Sequence, residues 1–321
     1  MQWWQVINLD KKETLGISGS LHEFLWSYKP HGLVAHLMLP AMPSVMTSSS
    51  ACRWATPVTD TIEPATCLGS LTIPAELIRL IFREIDNFQD TFSLAHANTR
   101  LLDIGRDRVC ALLRCTVAPW AGDRLICIGE EANSDDLPDG MLTATEMQQL
   151  ESFTTKDCAE WCEGDVVEPA NLYFFADAKY RAPKDYGYSS PGFTQRLSTS
   201  ERVQYGRLLK SMHLSESDHP RILCNLSKRE YVRLGAVAGL AKDTLAHPWF
   251  PGDRWKFGAA LVSRICWSSI PISDADSSTH RGVWAGDRFE ITTLDTFPHC
   301  PDGEAGWKDV SEEMAQHLGR L

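Results

Sequence analysis

Two short motifs occur twice in this chain, in the same order. Residues 8–13 read NLDKKE and residues 225–230 read NLSKRE, while WAGDR stands at 120–124 and again at 284–288. Each WAGDR is followed by an apolar run that is typical of a β-strand. Because motifs repeated in a fixed order indicate a repeated structural unit, the sequence predicts a duplicated domain.

The first copy of this repeat is longer than the second. The interval from Asn8 to Trp120 is 112 positions and that from Asn225 to Trp284 is 59, a difference of 53. A segment with a helical pattern, residues 71–108, lies inside the first copy and accounts for 38 of these positions. We therefore predict a helical module inserted into the first copy, with a Pro-, Ser- and Thr-rich connection before it.

The first helix predicted in this segment carries apolar residues on two neighbouring faces. Pro74 suits the first turn, where its missing N–H has no partner to lose. Leu77 and Ile81 lie on one stripe, and Ile78 and Phe82 lie on the next. This apolar arc is wider than that of an ordinary surface helix, so we expect the helix to bury more than one face.

The rest of the segment contains signals for helix ends. Asp86 and Asn87 are expected to break the first helix, Asp90 to cap the second, and Gly105 to stop the helical run. A module of about 40 residues rarely stabilises itself and usually needs a larger body or a partner protein.

The residues of this segment resemble the F-box consensus along its whole length. The matching positions are Ile73-Pro74-x-Glu76-Leu77-Ile78-x-x-Ile81-Phe82-x-x-Ile85-Asp86, then Asp90, Leu94-Ala95 and Arg100-Leu101. Ile73 replaces the leucine that usually precedes the proline. Members of this family use three helices to dock onto the Skp adaptor of SCF cullin–RING ubiquitin ligases. The flanking repeats are similar, more loosely, to uncharacterised fungal F-box proteins.

The resemblance implies a set of adaptor-binding residues: Ile73, Pro74, Leu77, Ile78, Ile81, Phe82 and Leu94. It also implies two partners, the Skp adaptor with its cullin scaffold and a protein substrate whose identity the sequence does not reveal. The alternative is that the segment is an amphipathic helix pair within an unrelated core.

The net charge and the cysteines indicate which other partners are disfavoured and in which cellular compartment the protein is expected. The formal net charge is −11, which argues against nucleic acid and anionic membranes as partners. The 10 cysteines are scattered and no signal peptide precedes them, so we expect reduced thiols in the cytoplasm or the nucleus. The apolar stretch 32–46 is too short to span a bilayer and is interpreted as a loop.

No motif for catalysis or metal binding stands out. The chain has no nucleophile elbow, P-loop, dinucleotide fingerprint or HExxH sequence. Cys158 and Cys162 lack the further ligands that a zinc site needs, and the acidic run at 130–140 is expected to be an exposed, solvated loop. We predict no catalytic, cofactor-binding or metal-binding residues and no cofactor.

The two WAGDR segments have a structural and a functional interpretation. The structural one is a tight Gly-Asp turn with the tryptophan packed beneath it. The functional one is a ligand contact made by Asp123 and Arg124, or by Asp287 and Arg288. We favour the structural interpretation.

These observations together predict an α+β fold with a three-helix F-box inserted into the first copy of a duplicated, mainly β domain. The predicted segments are 1–39 and 115–142 for the first copy, 40–70 for a flexible connection, 71–114 for the F-box, 143–221 for a helical and loop linker, and 222–321 for the second copy. The predicted function is a substrate-recruiting subunit of an SCF-type ubiquitin ligase, which is not an enzyme. The alternatives are a non-ligase F-box scaffold or regulator, and an enzyme with an unrecognised site.

Overall fold

The structure is a computed structural model that divides into two compact units. It describes residues 2–26, 30–39, 73–154, 170–182, 195, 198–199, 202–203, 220–238, 254–271, 280–294 and 306–320. The first unit, called the repeat unit, comprises Met1–Met38, Trp120–Asp185 and His219–Leu321. The second, called the helical unit, comprises Leu39–Pro119 and Tyr186–Asp218. Helices and two four-stranded sheets occur together, as the predicted α+β class requires.

The repeat unit contains strands and helices in alternation. Its strands are β1 (Trp4–Asn8), β2 (Glu13–Gly19), β3 (Leu125–Gly129), β4 (Arg221–Asn225), β5 (Glu230–Arg233), β6 (Cys266–Trp267), β7 (Phe289–Thr293) and β8 (Lys308–Asp309). Its described helices are α1 (Leu21–Trp26), α2 (Pro30–Leu37), α6 (Ala144–Glu151), α7 (Leu172–Lys179), α8 (Leu234–Ala238), α9 (Arg254–Ile265) and α10 (Ser311–Leu318). The helical unit holds α3 (Ala75–Glu84), α4 (Phe88–His96) and α5 (Thr99–Val117).

Both sheets are built around the same three-stranded arrangement. The strand order is β2-β1-β3-β6 in the first sheet and β7-β4-β5-β8 in the second. In each sheet the strand that ends in the NL motif lies between its hairpin partner and the strand that follows WAGDR, and both neighbours are antiparallel to it. Asn8 pairs with Leu125, and Asn225 pairs with Phe289. The two motif copies therefore occupy matching positions.

Two pairs of side chains that the motif copies share make the same contacts in both copies. Trp120 donates its indole N–H to Glu13 over 2.7 Å, and Trp284 donates to Glu230 over 2.7 Å. Both tryptophans are buried. The two motif asparagines donate to the aspartates of the WAGDR segments in the same way, at 2.8 Å. The interpretation of WAGDR as a turn with its tryptophan packed beneath is confirmed.

The two WAGDR turns also bind each other. The backbone N–H of Gly122 donates to the carbonyl of Phe289 over 2.7 Å, and the N–H of Gly286 donates to the carbonyl of Leu125 over 2.8 Å. Leu125 and Phe289 are equivalent positions, so the exchange is reciprocal. Both glycines have positive φ, +87° and +82°, which a side chain would oppose. The turns thus join the two copies through an approximate two-fold relation.

Helices from both copies pack in the core beside the sheets. Helix α2 contacts α9, and both contribute to one large apolar cluster with residues from the two sheets. The carbonyl of His36 in α2 accepts the N–H of Trp120 over 2.9 Å, and that of Arg264 in α9 accepts the N–H of Trp284 over 2.7 Å. These helices make the duplicated domain an α and β structure, so its description as mainly β was too narrow.

Helix α2 corrects the interpretation of the stretch 32–46 as a loop. Leu33, Val34 and Leu37 are fully buried and pack within the shared core. Proline at the first position of the helix suits its start, because that N–H would have no partner. Residues 40–46 of this stretch, like the rest of the predicted connection 40–70, lie outside the described residues.

The predicted linker 143–221 contributes helices that cover the first sheet. Helix α6 begins where the sequence indicated, with Thr143 and Glu146 forming a capping box. Leu150 of α6 and Leu172 of α7 pack against the apolar side chains of β1 and β3. In the described part of this region the chain therefore belongs to the core of the repeat unit and does not simply link two domains.

Replacing either repeat tryptophan by phenylalanine removes the same N–H donor, and we expect the two effects on stability to differ. Glu13 is buried, whereas Glu230 is partly exposed and lies 3.8 Å from Lys308. Loss of a hydrogen-bond donor lowers the free energy of unfolding more where water cannot replace it, by about 1–3 kcal/mol for a buried acceptor. Trp120→Phe should therefore lower the free energy of unfolding more than Trp284→Phe in urea denaturation. An equal or reversed order would contradict this account.

Candidate functional site

The three described helices of the helical unit form a core of their own. Helices α3 and α4 each pack against α5. The fully buried residues of this core are Ile78, Phe82, Phe92, Ala95, Leu101, Val109 and Leu113. Helix α5 continues to Val117, three residues past the predicted end of the F-box at 114.

Local backbone signals explain where the helices begin. Asn87 caps α4, with its side-chain oxygen accepting from the N–H groups of Gln89 and Asp90 at 2.7 and 3.2 Å. Asn98 caps α5 in the same way, through the N–H of Arg100. The prediction that Asp90 caps the second helix was wrong, because the residue that breaks the first helix also caps the next.

Gly105 does not end a helix. It lies in the middle of α5, where an added Cβ would clash with the ring of Phe82. The absence of a side chain lets this ring from α3 rest directly on the backbone of α5. The predicted stop at Gly105 was wrong because the glycine serves a close contact between helices, which local sequence does not reveal.

Helix α3 has one apolar face inside the unit and another on its surface. Ile78 and Phe82 are buried in the core. Leu77, Leu80 and Ile81 have exposed fractions of 48%, 49% and 46%. These three, called here the α3 stripe, are spaced i, i+3 and i+4, so they lie side by side on one face of the helix.

The α3 stripe is the main concentration of exposed apolar surface among the described residues. Three of the seven large hydrophobic side chains that are exposed there belong to this single helix. Single exposed apolar residues are normal, whereas contiguous apolar patches are typical of interaction surfaces. Of the neighbouring charged residues, Glu76 and Arg79 lie 3.9 Å apart, and Arg83 and Glu84 are exposed.

The seven residues that the F-box resemblance implies for adaptor binding differ in their exposure. Pro74, Leu77 and Ile81 lie on the surface of the unit. Ile73 and Leu94 are partly buried against the core, and Ile78 and Phe82 lie inside it. A partner that binds the folded unit can thus reach the first three directly.

Leu80 belongs to the α3 stripe but was not among the predicted residues. Residue 80 is an unspecified position of the F-box consensus. Leu80 is related to Leu77 and Ile81 only by its place on the exposed face of the helix. The spacing of three residues from Leu77 was the signal that could have identified it.

The described part of this unit offers mainly apolar contacts. Burial, and then the charge of Asp107, raise the pKa of the Cys110 thiol to about 11, which keeps it protonated at neutral pH. Within the described parts of the chain, no three His, Cys, Asp or Glu residues come together as a metal site. None of the helices described there has the length and apolar character needed to cross a membrane.

Comparison of the chain with protein-family models, with curated proteins and with solved structures found no significant match. The resemblance to the F-box therefore depends on the motif residues of the sequence alone.

The two faces of α3 should respond differently to truncation. Phe82→Ala removes a ring from the core and should cost about 3–5 kcal/mol of unfolding free energy. Leu77→Ala changes an exposed position and should stay within about 0.5 kcal/mol of the original protein. Thermal or urea unfolding of the two variants measures the difference. A large loss of stability in Leu77→Ala would show that the stripe is already covered within the chain.

Proposed function

We propose that this protein is an F-box substrate-recruiting subunit of an SCF-type cullin–RING ubiquitin ligase. The observation that carries the proposal is the α3 stripe, Leu77, Leu80 and Ile81, which stays exposed although α3 has a complete second apolar face in the core. The Skp adaptor covers this stripe, and the repeat unit presents a surface to the substrate. The protein then acts by raising the local concentration of substrate at the ligase.

The arrangement of α3 supports this assignment. An exposed leucine or isoleucine gains roughly 25 cal/mol for each Å² of apolar surface that a partner removes from water. Because three such residues lie side by side on one rigid helix, a partner can bury all of them in one small contact and gain the free energy of each. Because Ile78 and Phe82 hold α3 against α5, the stripe is presented without further ordering of the helix.

The position of the helices along the chain supports an insertion into the first copy of the repeat. The chain leaves the repeat unit after Met38 and re-enters it at Trp120, and the separate stretch Tyr186–Asp218 also belongs to the helical unit. The 2.9 Å hydrogen bond between His36 and Trp120 brings the two ends of the excursion together. The equivalent bond between Arg264 and Trp284 closes a much shorter excursion in the second copy. An inserted module with adjacent ends leaves its host intact.

Adaptor binding should depend on the α3 stripe. The double variant Leu77→Ala/Ile81→Ala should remain folded, because both residues are exposed, and should bind purified Skp adaptor at least about 100-fold more weakly, a loss of about 2.7 kcal/mol. Isothermal titration calorimetry measures the change. Val283→Ala is the matched control, since it trims an apolar side chain of similar exposure in the repeat unit.

Unchanged adaptor affinity in the double variant would contradict the proposed docking face. Equal weakening by Val283→Ala would indicate general loss of apolar surface and would also contradict it. Capture of cullin together with the adaptor distinguishes a ligase subunit from an F-box scaffold that acts without ubiquitin transfer.

Excision of the inserted segment should leave the repeat unit folded. Residues 40–118 are removed, and Leu39 is joined to Pro119 by a short Gly/Ser linker, so that the hydrogen bond between His36 and Trp120 is retained. The entropy of closing a loop grows only slowly with its length, so shortening this excursion costs little. The excised protein should unfold cooperatively, as monitored by circular dichroism, and should not bind adaptor. Aggregation or loss of the cooperative transition would contradict the insertion.

A further inference from the structure

The ends of three neighbouring strands meet at one edge of the first sheet. The start of β1 and the ends of β3 and β6 lie together there, because β1 is antiparallel to β3 and β3 is parallel to β6. Trp3 and Glu130 exchange hydrogen bonds of 2.8 and 2.9 Å. The side chain of Gln2 donates to the hydroxyl of Ser268 over 2.6 Å. We call this region the β1 edge surface.

Two large apolar side chains are exposed on the β1 edge surface. Trp3 is 49% exposed at the start of β1, and Ile270 is 51% exposed just after β6. The hydroxyl of Ser268 accepts from the side chain of Gln2, the residue before Trp3, and from the N–H of Ile270 over 3.3 Å. Tryptophan is over-represented among residues that dominate protein interfaces. The stripe on α3 and this surface thus hold five of the seven exposed large apolar residues described in the chain.

The acidic segment beside this surface is held in place. The N–H of Asn133 donates to the hydroxyl of Ser269 over 2.8 Å. The indole N–H of Trp267 donates to the carbonyl of Asp136 over 2.7 Å, and Arg281 pairs with the carboxylate of Asp136. Glu131, Asp135 and Asp139 are exposed, as the sequence predicted, whereas Glu130 and Asp136 are partly buried. The backbone of the segment is fixed by contacts from the second copy of the repeat.

The remaining acids of this segment are not neutralised. Glu131, Asp135 and Asp139 are exposed, and no Lys or Arg of the described residues pairs with them. Fixed, unpaired carboxylates beside exposed apolar side chains favour a partner that combines positive charge with apolar surface.

We propose that the β1 edge surface binds a segment of the recruited substrate in which Lys or Arg residues flank an apolar side chain. This inference rests on the proposed function, since it names the class of substrate that the F-box protein would bring to the ligase. The apolar side chain packs on Trp3 and Ile270, and the basic residues face Glu131 and Asp135. An acidic or nucleic-acid partner would meet repulsion at this surface.

The test uses the full chain and two synthetic peptides that differ only in charge. One peptide carries Lys and Arg around a central Leu-Trp pair, and in the other every basic residue is replaced by Glu. Fluorescence anisotropy should show the basic peptide binding at least about tenfold more tightly, with an affinity that falls as salt is added. Trp3→Ala and Glu131→Lys/Asp135→Lys should each weaken binding of the basic peptide about tenfold.

Three outcomes would overturn the inference: no binding of the basic peptide, equal binding of the two peptides, or full binding by both variants. The charge variant keeps the test valid if Trp3→Ala fails to fold, because its changes are at exposed positions. The variant Leu77→Ala/Ile81→Ala should bind the peptide normally and Trp3→Ala should bind adaptor normally. Loss of adaptor binding by the original protein would therefore count against the proposed function alone.

Discussion

The repeat unit depends on the hydrogen bonds that the two WAGDR turns exchange. Gly122 donates to Phe289 and Gly286 donates to Leu125, so each turn is completed by the strand of the other copy. Trp120 and Trp284 lie beneath these turns and are held by Glu13 and Glu230. Helices α2 and α9 pack next to them. Neither copy has its full set of contacts without the other, which explains why both belong to one compact unit.

A second hydrogen bond beside the first WAGDR turn explains how the chain can carry a second unit in the middle of the first. The bond between His36 and Trp120 fixes both ends of the excursion that contains α3 to α5. The helical unit has its own core and needs no residue of the repeat unit to bury Ile78 and Phe82. The proposed function therefore uses two separate surfaces, one on α3 for the adaptor and one on the repeat unit for the substrate.

The sequence predicted the features that short motifs and periodicity encode. The repeated NL and WAGDR motifs predicted a duplicated domain, and a strand follows each WAGDR as predicted, at Leu125–Gly129 and Phe289–Thr293. The two apolar faces of α3 followed from the spacing of Leu77, Ile78, Ile81 and Phe82. The adaptor-binding set remains a prediction, because the resemblance names residues without saying which of them face outwards.

What the sequence did not reveal depends on contacts between distant residues. Gly105 was predicted to stop a helix, yet it accommodates Phe82, which is distant in sequence. The helix at 30–37 is stabilised by burial against α9 more than by its own composition, which includes a glycine and two histidines. The acidic segment near Asp136 is fixed by Trp267 and Arg281 of the other copy. Local patterns carry no information about such partners.

The central claim, that α3 is the adaptor-docking element, is tested most directly by hydrogen–deuterium exchange of the full chain with and without purified Skp adaptor. The account predicts slower exchange of the amides in Ala75–Glu84 on binding, with unchanged exchange in β1 and β4 of the repeat unit. Unchanged exchange throughout α3 at saturating adaptor would contradict the claim. So would protection confined to the strands of the repeat unit.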